Sequence, residues 1–353
     1  MNAAAKDVVA WFRDIDLNAV PKVGGKGASL GELRRAGIAI PDGFVLTVDA
    51  FRAFVAPLRE GTDIDGRIAT LKGADTATLN AACAGIREAL ISQPCPAALQ
   101  EQIGAAYRAL SDGGRVPVAV RSSATSEDSA EASFAGLQDT YLWVRNEQAM
   151  FEAVKLCWAS LYNAESVSYR LRLGLPEVQL AMAVVIQRMV NSRCSGVMFT
   201  RSPLTGDRSV IAIEGSWGLG SGIVSGEVTP DKFVVNKITR EISRRDIAQK
   251  LHAHVPAPDG GVLVEDVGAA LQREPCLKDE QIFALAEIGK QVERHYGKPQ
   301  DIEWALDQDG SILLLQSRPE TVWATKEKAP VAKPAAKPFE HIFKVMGGGA
   351  RKP

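Results

Sequence analysis

The sequence predicts an α+β protein, helix-rich in its first half and sheet-rich in its second. Three observations predict it. Apolar residues recur at helical spacing through the first half; short β-rich runs separated by glycine and proline take over from Leu180; and no internal repeat relates the two halves.

Each element follows in order. Lys26–Ala36 carries Leu30 and Leu33 on one face and meets Gly37 as a stop, which predicts a short helix. Phe44–Leu46 is a strand, and Thr47 is placed to cap a helix running through Val55. Leu79, Cys83, Ile86 and Leu90 repeat at helical spacing, as do Leu99, Ile103, Ala106 and Leu110. Val116–Arg121 is a β-rich run that opens into a small-residue loop, Ser122–Gly136. A helix carrying Val154, Cys157, Trp158 and Leu161 follows. Leu180–Met189, Gly196–Thr200, Val210–Glu214 and Lys232–Val235 then read as strands. A helix at Asp279–Tyr296 precedes a hairpin of Asp301–Leu306 and Ile312–Gln316. These changes predict one lobe over residues 1–190, a second over 191–325, and a tail over 326–353.

Composition narrows the class. With 353 residues, 46% hydrophobic and 24% charged, the chain is long enough to bury a core without disulfides or a structural metal. Its 41 basic and 42 acidic residues leave a net charge of −1, so no global field draws it to nucleic acid or to an anionic membrane. Lys6 and Asp7 interrupt the N-terminus before any apolar run, and apolar stretches such as Leu180–Ile186 fall short of the roughly 18 residues of a spanning helix. Five scattered cysteines without a CxxC pair read as buried thiols in a reducing compartment. The expected location is cytoplasmic. In the tail, Lys328–Pro338 alternates Lys, Pro and small residues and reads as an extended tether. Phe339, Ile342, Phe343, Val345 and Met346 beyond it form an apolar patch, either a frayed end or a docking peptide.

The hairpin carries the clearest chemistry. Asp309-Gly310 signals a turn between two alternating runs. A two-residue turn sets Glu303 opposite Gln316 and Asp301 opposite Arg318; a four-residue loop shifts the pairing by two and keeps them on one face. Ile302, Trp304 and Leu306 point the other way, into a core. A solvated sheet face is also polar, yet carboxylate with carboxamide oxygen suits a hard divalent cation such as Mg²⁺, and Arg318 suits a phosphate oxygen.

Three other segments are weaker alone. Val23–Leu30 (VGGKGASL) fails the Walker A frame, so a helix-start turn competes with a role for Lys26 against phosphate. Arg121–Asp128 and Ala132–Gln138 form a long aperiodic stretch whose backbone N–H groups suit an anion. Ser216–Gly222 lacks the Rossmann fingerprint and its distal acid. None of the four histidines sits in a metal-binding frame.

Taken in order, VGGKGASLGEL, VAVRSSATSEDSAEASFAGLQDTYL, VVIQRMV, SGVMFTRSPLTGD, WGLGSGIVSGEVTPD and DIEWAL…LLLQSRPET resemble the ATP-grasp nucleotide-binding domain of the phosphoenolpyruvate synthase and pyruvate phosphate dikinase family, over roughly residues 20–322. The resemblance implies an ATP-grasp fold with the nucleotide between two lobes, and ATP and Mg²⁺ as cofactors. It implies that Lys26 and Arg121 bind phosphate, with Arg318 on the transferred group. Thr125, Ser126, Glu127, Asp128, Ser133, Phe134, Ala135, Gly136 and Gln138 resemble the mobile loop over the triphosphate. Gln187, Met189 and Val190 resemble the adenine hinge, and Glu214 falls among the nucleotide-binding residues. Glu303 and Gln316 resemble the Mg²⁺ ligands, with Asp301 close by. Ser221 departs from the WGLGE of many relatives, which puts one acidic contact in doubt.

No histidine here has the glycine- and threonine-rich context of the family's phosphate carrier. The resemblance therefore implies an ATP-binding subunit of a split dikinase, serving a histidine on a partner subunit that also binds the small-molecule acceptor. Phenylphosphate synthase, which phosphorylates phenol and releases AMP and phosphate, is similar in this way. A pyruvate-directed split enzyme and a non-catalytic nucleotide sensor are the alternatives. No nucleic-acid or membrane partner is expected.

Overall fold

In the computed structural model, which describes residues 7–125, 139–174, 181–321 and 323, two antiparallel sheets share out the chain. The first has the order β1-β2-β5-β3-β4, from Val9–Trp11 (β1), Gly43–Leu46 (β2), Val118–Ala124 (β3), Thr140–Val144 (β4) and Met182–Arg188 (β5). β5 carries an unbroken apolar run from Met182 to Ile186, buried throughout, as a strand covered on both faces should. Helices cover this sheet: Val48–Gly61 (α2), Ile64–Ala69 (α3), Thr76–Ser92 (α4), Ala97–Leu110 (α5), Glu147–Ala159 (α6) and Ala164–Leu173 (α7). Their apolar stripes, with Phe51, Phe54 and Trp158 at the centre, build the first core.

The second sheet has the order β13-β12-β6-β7-β8-β9. Its strands are Ser192–Phe199 (β6), Val210–Trp217 (β7), Asp231–Asn236 (β8), Ile242–Asp246 (β9), Gln300–Asp307 (β12) and Ile312–Pro319 (β13). A four-residue helix, Ser221–Val224 (α8), and a two-stranded ribbon, His252–Pro256 (β10) with Val262–Asp266 (β11), sit beside it. The helix Asp279–Tyr296 (α9) packs Ile282, Leu285 and Val292 onto the sheet and ends at Gly297, whose φ is 67°. Ile302, Trp304 and Leu306 are fully buried beneath it, on the core side expected for them.

One helix serves both cores. Val20–Arg35 (α1) gives Leu30 to the first core and Leu33 to the second. Hydrogen bonds also tie α1 and the segment after it to β13. Ser29 Oγ donates to Ser317 O at 2.6 Å, and Leu314 N donates to Ala39 O at 2.9 Å.

The α+β architecture is the one the sequence predicts; several local details differ. α1 begins at Val20, earlier than expected, but non-helical Gly24 divides it into two helical pieces, and VGGKG lies at the start of the second, where the sequence predicts a helix-start turn. Thr47 does occupy the position before α2, yet its hydroxyl donates to Asp7 O, and the helix runs past Pro57 to Gly61. β3 continues through Ser122 and Ser123, which the sequence placed in a loop. Both are buried, and their hydroxyls donate to Asp139 O and Val23 O, so polar side chains sit in a covered strand without loss of hydrogen bonds. The expected loop residues Ser126, Glu127, Asp128, Ser133, Phe134, Ala135, Gly136 and Gln138, and the tail 326–353, lie outside the described residues. Among the described residues no helix is long and apolar enough to cross a membrane.

Candidate functional site

The hairpin of β12 and β13 explains how the acidic end of the site is placed. At its tip Leu306 pairs with Ile312, and the chain turns over Asp307–Ser311, which is neither of the two loop lengths weighed from the sequence. A bulge then intervenes: Trp304 pairs with Leu314 while Glu303 pairs with Gln316, leaving Leu315 as the extra residue. The bulge restores the register in which Glu303 faces Gln316 and Asp301 faces Arg318.

It also frees a carbonyl. Arg121, from β3 of the other sheet, donates through Nη1 to Leu315 O at 3.1 Å. Its Nη2 lies 2.8 Å from Glu303 Oε2 and 2.6 Å from Gln316 Oε1. A single guanidinium, 9% exposed, thus gathers the carboxylate, the carboxamide and the bulge carbonyl.

Lys26 is positioned by the glycines before it. Gly24 has φ 71° and ψ 174°, backbone that L side chains rarely adopt. A Cβ there would lie 2.2 Å from Ser123 O. With none, α1 docks on β3: Ser123 Oγ donates to Val23 O at 2.9 Å and accepts from Gly27 N at 3.2 Å. Lys26, between these contacts, lines the cavity beside Arg121. Its charge reaches Cys157 under β3, whose thiol burial pushes well up, so Cys157 stays a thiol.

A cavity of about 410 Å³ lies between the two sheets. Lys26, Arg121, Gln187, Met189, Val190, Glu303, Gln316 and Arg318 all line it, drawn together from positions 26 to 318. Among the described residues its charged lining is four cations, the fourth being Arg188, against one carboxylate, Glu303, so this part of the wall favours a polyanion. Ala119, Leu142, Met189, Val190 and Leu219 give the same cavity apolar wall, which suits a flat ring system.

Three expected residues do not line it. Asp301 Oδ2 accepts from Nε and Nη2 of Arg318, at 2.9 and 2.8 Å, so its carboxylate orients that guanidinium. Burial raises its pKa, and Arg318 offsets part of the rise. Glu214 shares a sheet row with Glu303 through Val197 but lies two strands away, paired with Lys232 at 3.2 Å. Thr125 follows the end of β3 away from the lining. Sequence reasoning passed over Arg188, Leu219 and Gly220; only the fold brings them to the wall.

Glu303 and Gln316 offer two hard oxygen donors side by side. That donor set fits a divalent cation which keeps waters and takes further oxygens from a bound phosphate. Among the described residues no group of three or more His, Cys, Asp or Glu is arranged to hold a metal by itself.

Residues 20–338 match the model of the pyruvate phosphate dikinase, AMP/ATP-binding domain. A probable phosphoenolpyruvate synthase of Staphylothermus marinus is 40% identical over 374 residues, covering 96% of this chain and 44% of the relative. The phosphoenolpyruvate synthase of Aeropyrum pernix is 42% identical over 367 residues, covering 93% and 44%. That of Pyrococcus furiosus is 39% identical over 384 residues, covering 96% and 46%. The chain thus spans less than half the length of these relatives. Among solved structures, a biotin carboxylase–β,γ-ATP complex from Campylobacter jejuni overlaps 71% of this chain and 41% of its own, at 12% identity and a TM-score of 0.28.

Proposed function

Because the chain belongs to the pyruvate phosphate dikinase AMP/ATP-binding domain family, we propose that it binds Mg·ATP in the cavity between its sheets and gives up a phosphoryl group to a histidine on a partner subunit. The observation that carries this reading is the described cavity wall: Lys26, Arg121 and Arg318 share it with the Glu303–Gln316 carboxylate–carboxamide pair, and apolar surface makes up much of the rest.

Phosphoryl transfer asks the protein for positioning and charge neutralisation more than for covalent chemistry. Lys26, Arg121 and Arg318 supply fixed positive charge where a triphosphate gains negative charge. Glu303 and Gln316 would hold Mg²⁺, which supplies further neutralisation when bound. The segment Gln187–Val190 and the apolar wall receive the base. Histidine is absent from the described lining: His252, His254 and His295 are engaged by Asp266, Glu227 and Glu32. This supports an acceptor histidine elsewhere.

The relatives' names favour pyruvate over phenol as the final acceptor. The reading is therefore a pyruvate-directed dikinase of the phosphoenolpyruvate synthase type, its histidine and acceptor site carried by the partner subunit.

The test is a pair of measurements. The purified chain is titrated with Mg·ATP, then assayed for transfer to a histidine-domain protein with pyruvate or phenol present. Glu303→Gln is expected to abolish transfer while nucleotide binding persists, because it removes the charged cation ligand. Equal loss of binding and transfer would place Glu303 in ground-state binding and refute that role. Full turnover by the chain alone would refute the partner histidine.

A further inference from the structure

One polar group on the cavity wall is left unused by phosphoryl transfer. Ser221 lines the cavity, and its Oγ lies 2.8 Å from Nδ1 of His254. Nε2 of the same ring lies 3.0 Å from Glu227 Oε2. The ring is buried, with 8% of the residue exposed. Close backbone approach makes the contact possible. Leu219 N donates to His254 O at 2.8 Å, and a Cβ on Gly218 would lie 2.3 Å from that oxygen. A Cβ on Gly222 would press on the ring at 3.0 Å.

The chain of bonds fixes the polarity of the hydroxyl. A carboxylate only accepts, so the ring hydrogen sits on Nε2 and points to Glu227. In the tautomer that carries only that hydrogen, Nδ1 offers a lone pair, and the Ser221 hydroxyl donates to it. What remains on Ser221 Oγ is acceptor capacity alone. The serine behaves toward the cavity as an acceptor that needs a donor on its ligand.

Its place in the cavity says which donor. The 218–221 loop crosses β6 at Ser195, whose Oγ donates to Gly218 O at 2.6 Å. Ser195 pairs with Ala305, two residues along from the Val197–Glu303 pair and on the side of Ser192. Ser221 therefore stands between the Gln187–Val190 segment and the Glu303–Gln316 pair. In a nucleotide with its base at the first and its phosphates at the second, the middle portion is the sugar.

We propose that Ser221, held as an acceptor by His254 and Glu227, takes a hydrogen bond from a sugar hydroxyl and sets a preference for ribonucleotides over deoxyribonucleotides. This rests on the cavity being an ATP site. His254 and Glu227 are positioning residues that act through Ser221.

Calorimetric titration of the full chain with Mg·ATP, Mg·2′-deoxy-ATP and Mg·3′-deoxy-ATP tests it. The wild type should bind one deoxy analogue roughly three- to tenfold more weakly than ATP, the size of one hydrogen bond. Ser221→Ala should lose that factor for ATP and for the analogue that keeps the bonded hydroxyl but not for the one that lacks it, bringing the ratio to about one. His254→Ala should reduce the ratio too, since the hydroxyl then rotates freely, whereas Ser221→Glu, which supplies an acceptor outright, should keep it. A merely structural role would weaken all three ligands together. An unchanged ratio in Ser221→Ala, or no discrimination by the wild type, would overturn the proposal. Folded wild type that binds no Mg·ATP would overturn the ATP reading itself, and this inference with it.

Discussion

Gly24→Ala should unseat Lys26 without replacing any residue of the cavity wall. The new Cβ would fall 2.2 Å from Ser123 O and 2.3 Å from Ser123 Oγ, contacts that the backbone must move to relieve. The φ of 71° with ψ 174° adds strain of about 1–3 kcal/mol for a residue with a side chain. Moving α1 off β3 also breaks the two bonds of Ser123, to Val23 O and from Gly27 N, each worth about 1 kcal/mol. A total near 3–5 kcal/mol should lower the melting temperature by roughly 4–7 °C in a chain of this length. Since Lys26 follows the kink by two residues, Mg·ATP affinity should fall with it. Ser123→Ala separates the two effects, because it removes both bonds and leaves the backbone unstrained; its melting temperature should drop by about half as much. Scanning calorimetry and nucleotide titration read both outcomes. A Gly24→Ala protein that melts and binds like the wild type would show that α1 does not depend on this close approach.

Two other perturbations have clear signs. Asp301→Asn should slow phosphoryl transfer roughly ten- to a hundredfold through the slackened Arg318, the worth of a charged hydrogen bond. Burial raises the Asp301 pKa, so on acidification it takes up a proton earlier than an ordinary aspartate and releases Arg318. The wild-type rate should therefore decline on its acid side at a higher pH than an unperturbed carboxylate would give, and a pH–rate profile of Asp301→Asn should lack that limb. Lys250→Met should cost about 3–5 kcal/mol, because Lys250 and Asp231 are both fully buried and paired at 2.7 Å, and removing one strands the other's charge. Denaturant unfolding should show the loss, with Asp231→Asn in the same chain restoring part of it.

The part of the site that the sequence makes legible is the part with a short-range rule. The strand period of two put Asp301, Glu303, Gln316 and Arg318 on one face whichever turn closed the hairpin. The bulge at Leu315 was not legible. It depends on Trp304 and Leu314 both reaching the core while Glu303 stays opposite Gln316, a compromise struck in packing. Ser122 and Ser123 misled for a related reason: small polar residues imply a loop until partners appear at Asp139 and Val23. Ser221, His254 and Glu227 are up to 33 residues apart, with nothing periodic to join them. Their contact exists only because the loop after β7 and the start of the β10–β11 ribbon meet.

What the phosphate end of the cavity shares with the rest of the molecule is its place at the junction of the sheets. Arg121 comes from the first sheet, and the oxygens it gathers belong to the second. The docking of α1 on Ser123 and the bond from Ser29 to Ser317 run through the same region. Without the second sheet, Arg121 would lose all three oxygens that its guanidinium gathers. Without the first, Glu303 and Gln316 would stand on an open sheet face with only water for company. Arg121, which the proposed function sets against phosphate, thus also fastens the first sheet to the second. Arg121 holds Glu303 through Oε2 and also holds Gln316 through its Oε1, so under the proposed function a cation would share the carboxamide oxygen with the guanidinium. That cluster of guanidinium, carboxylate and carboxamide lies where the two sheets meet.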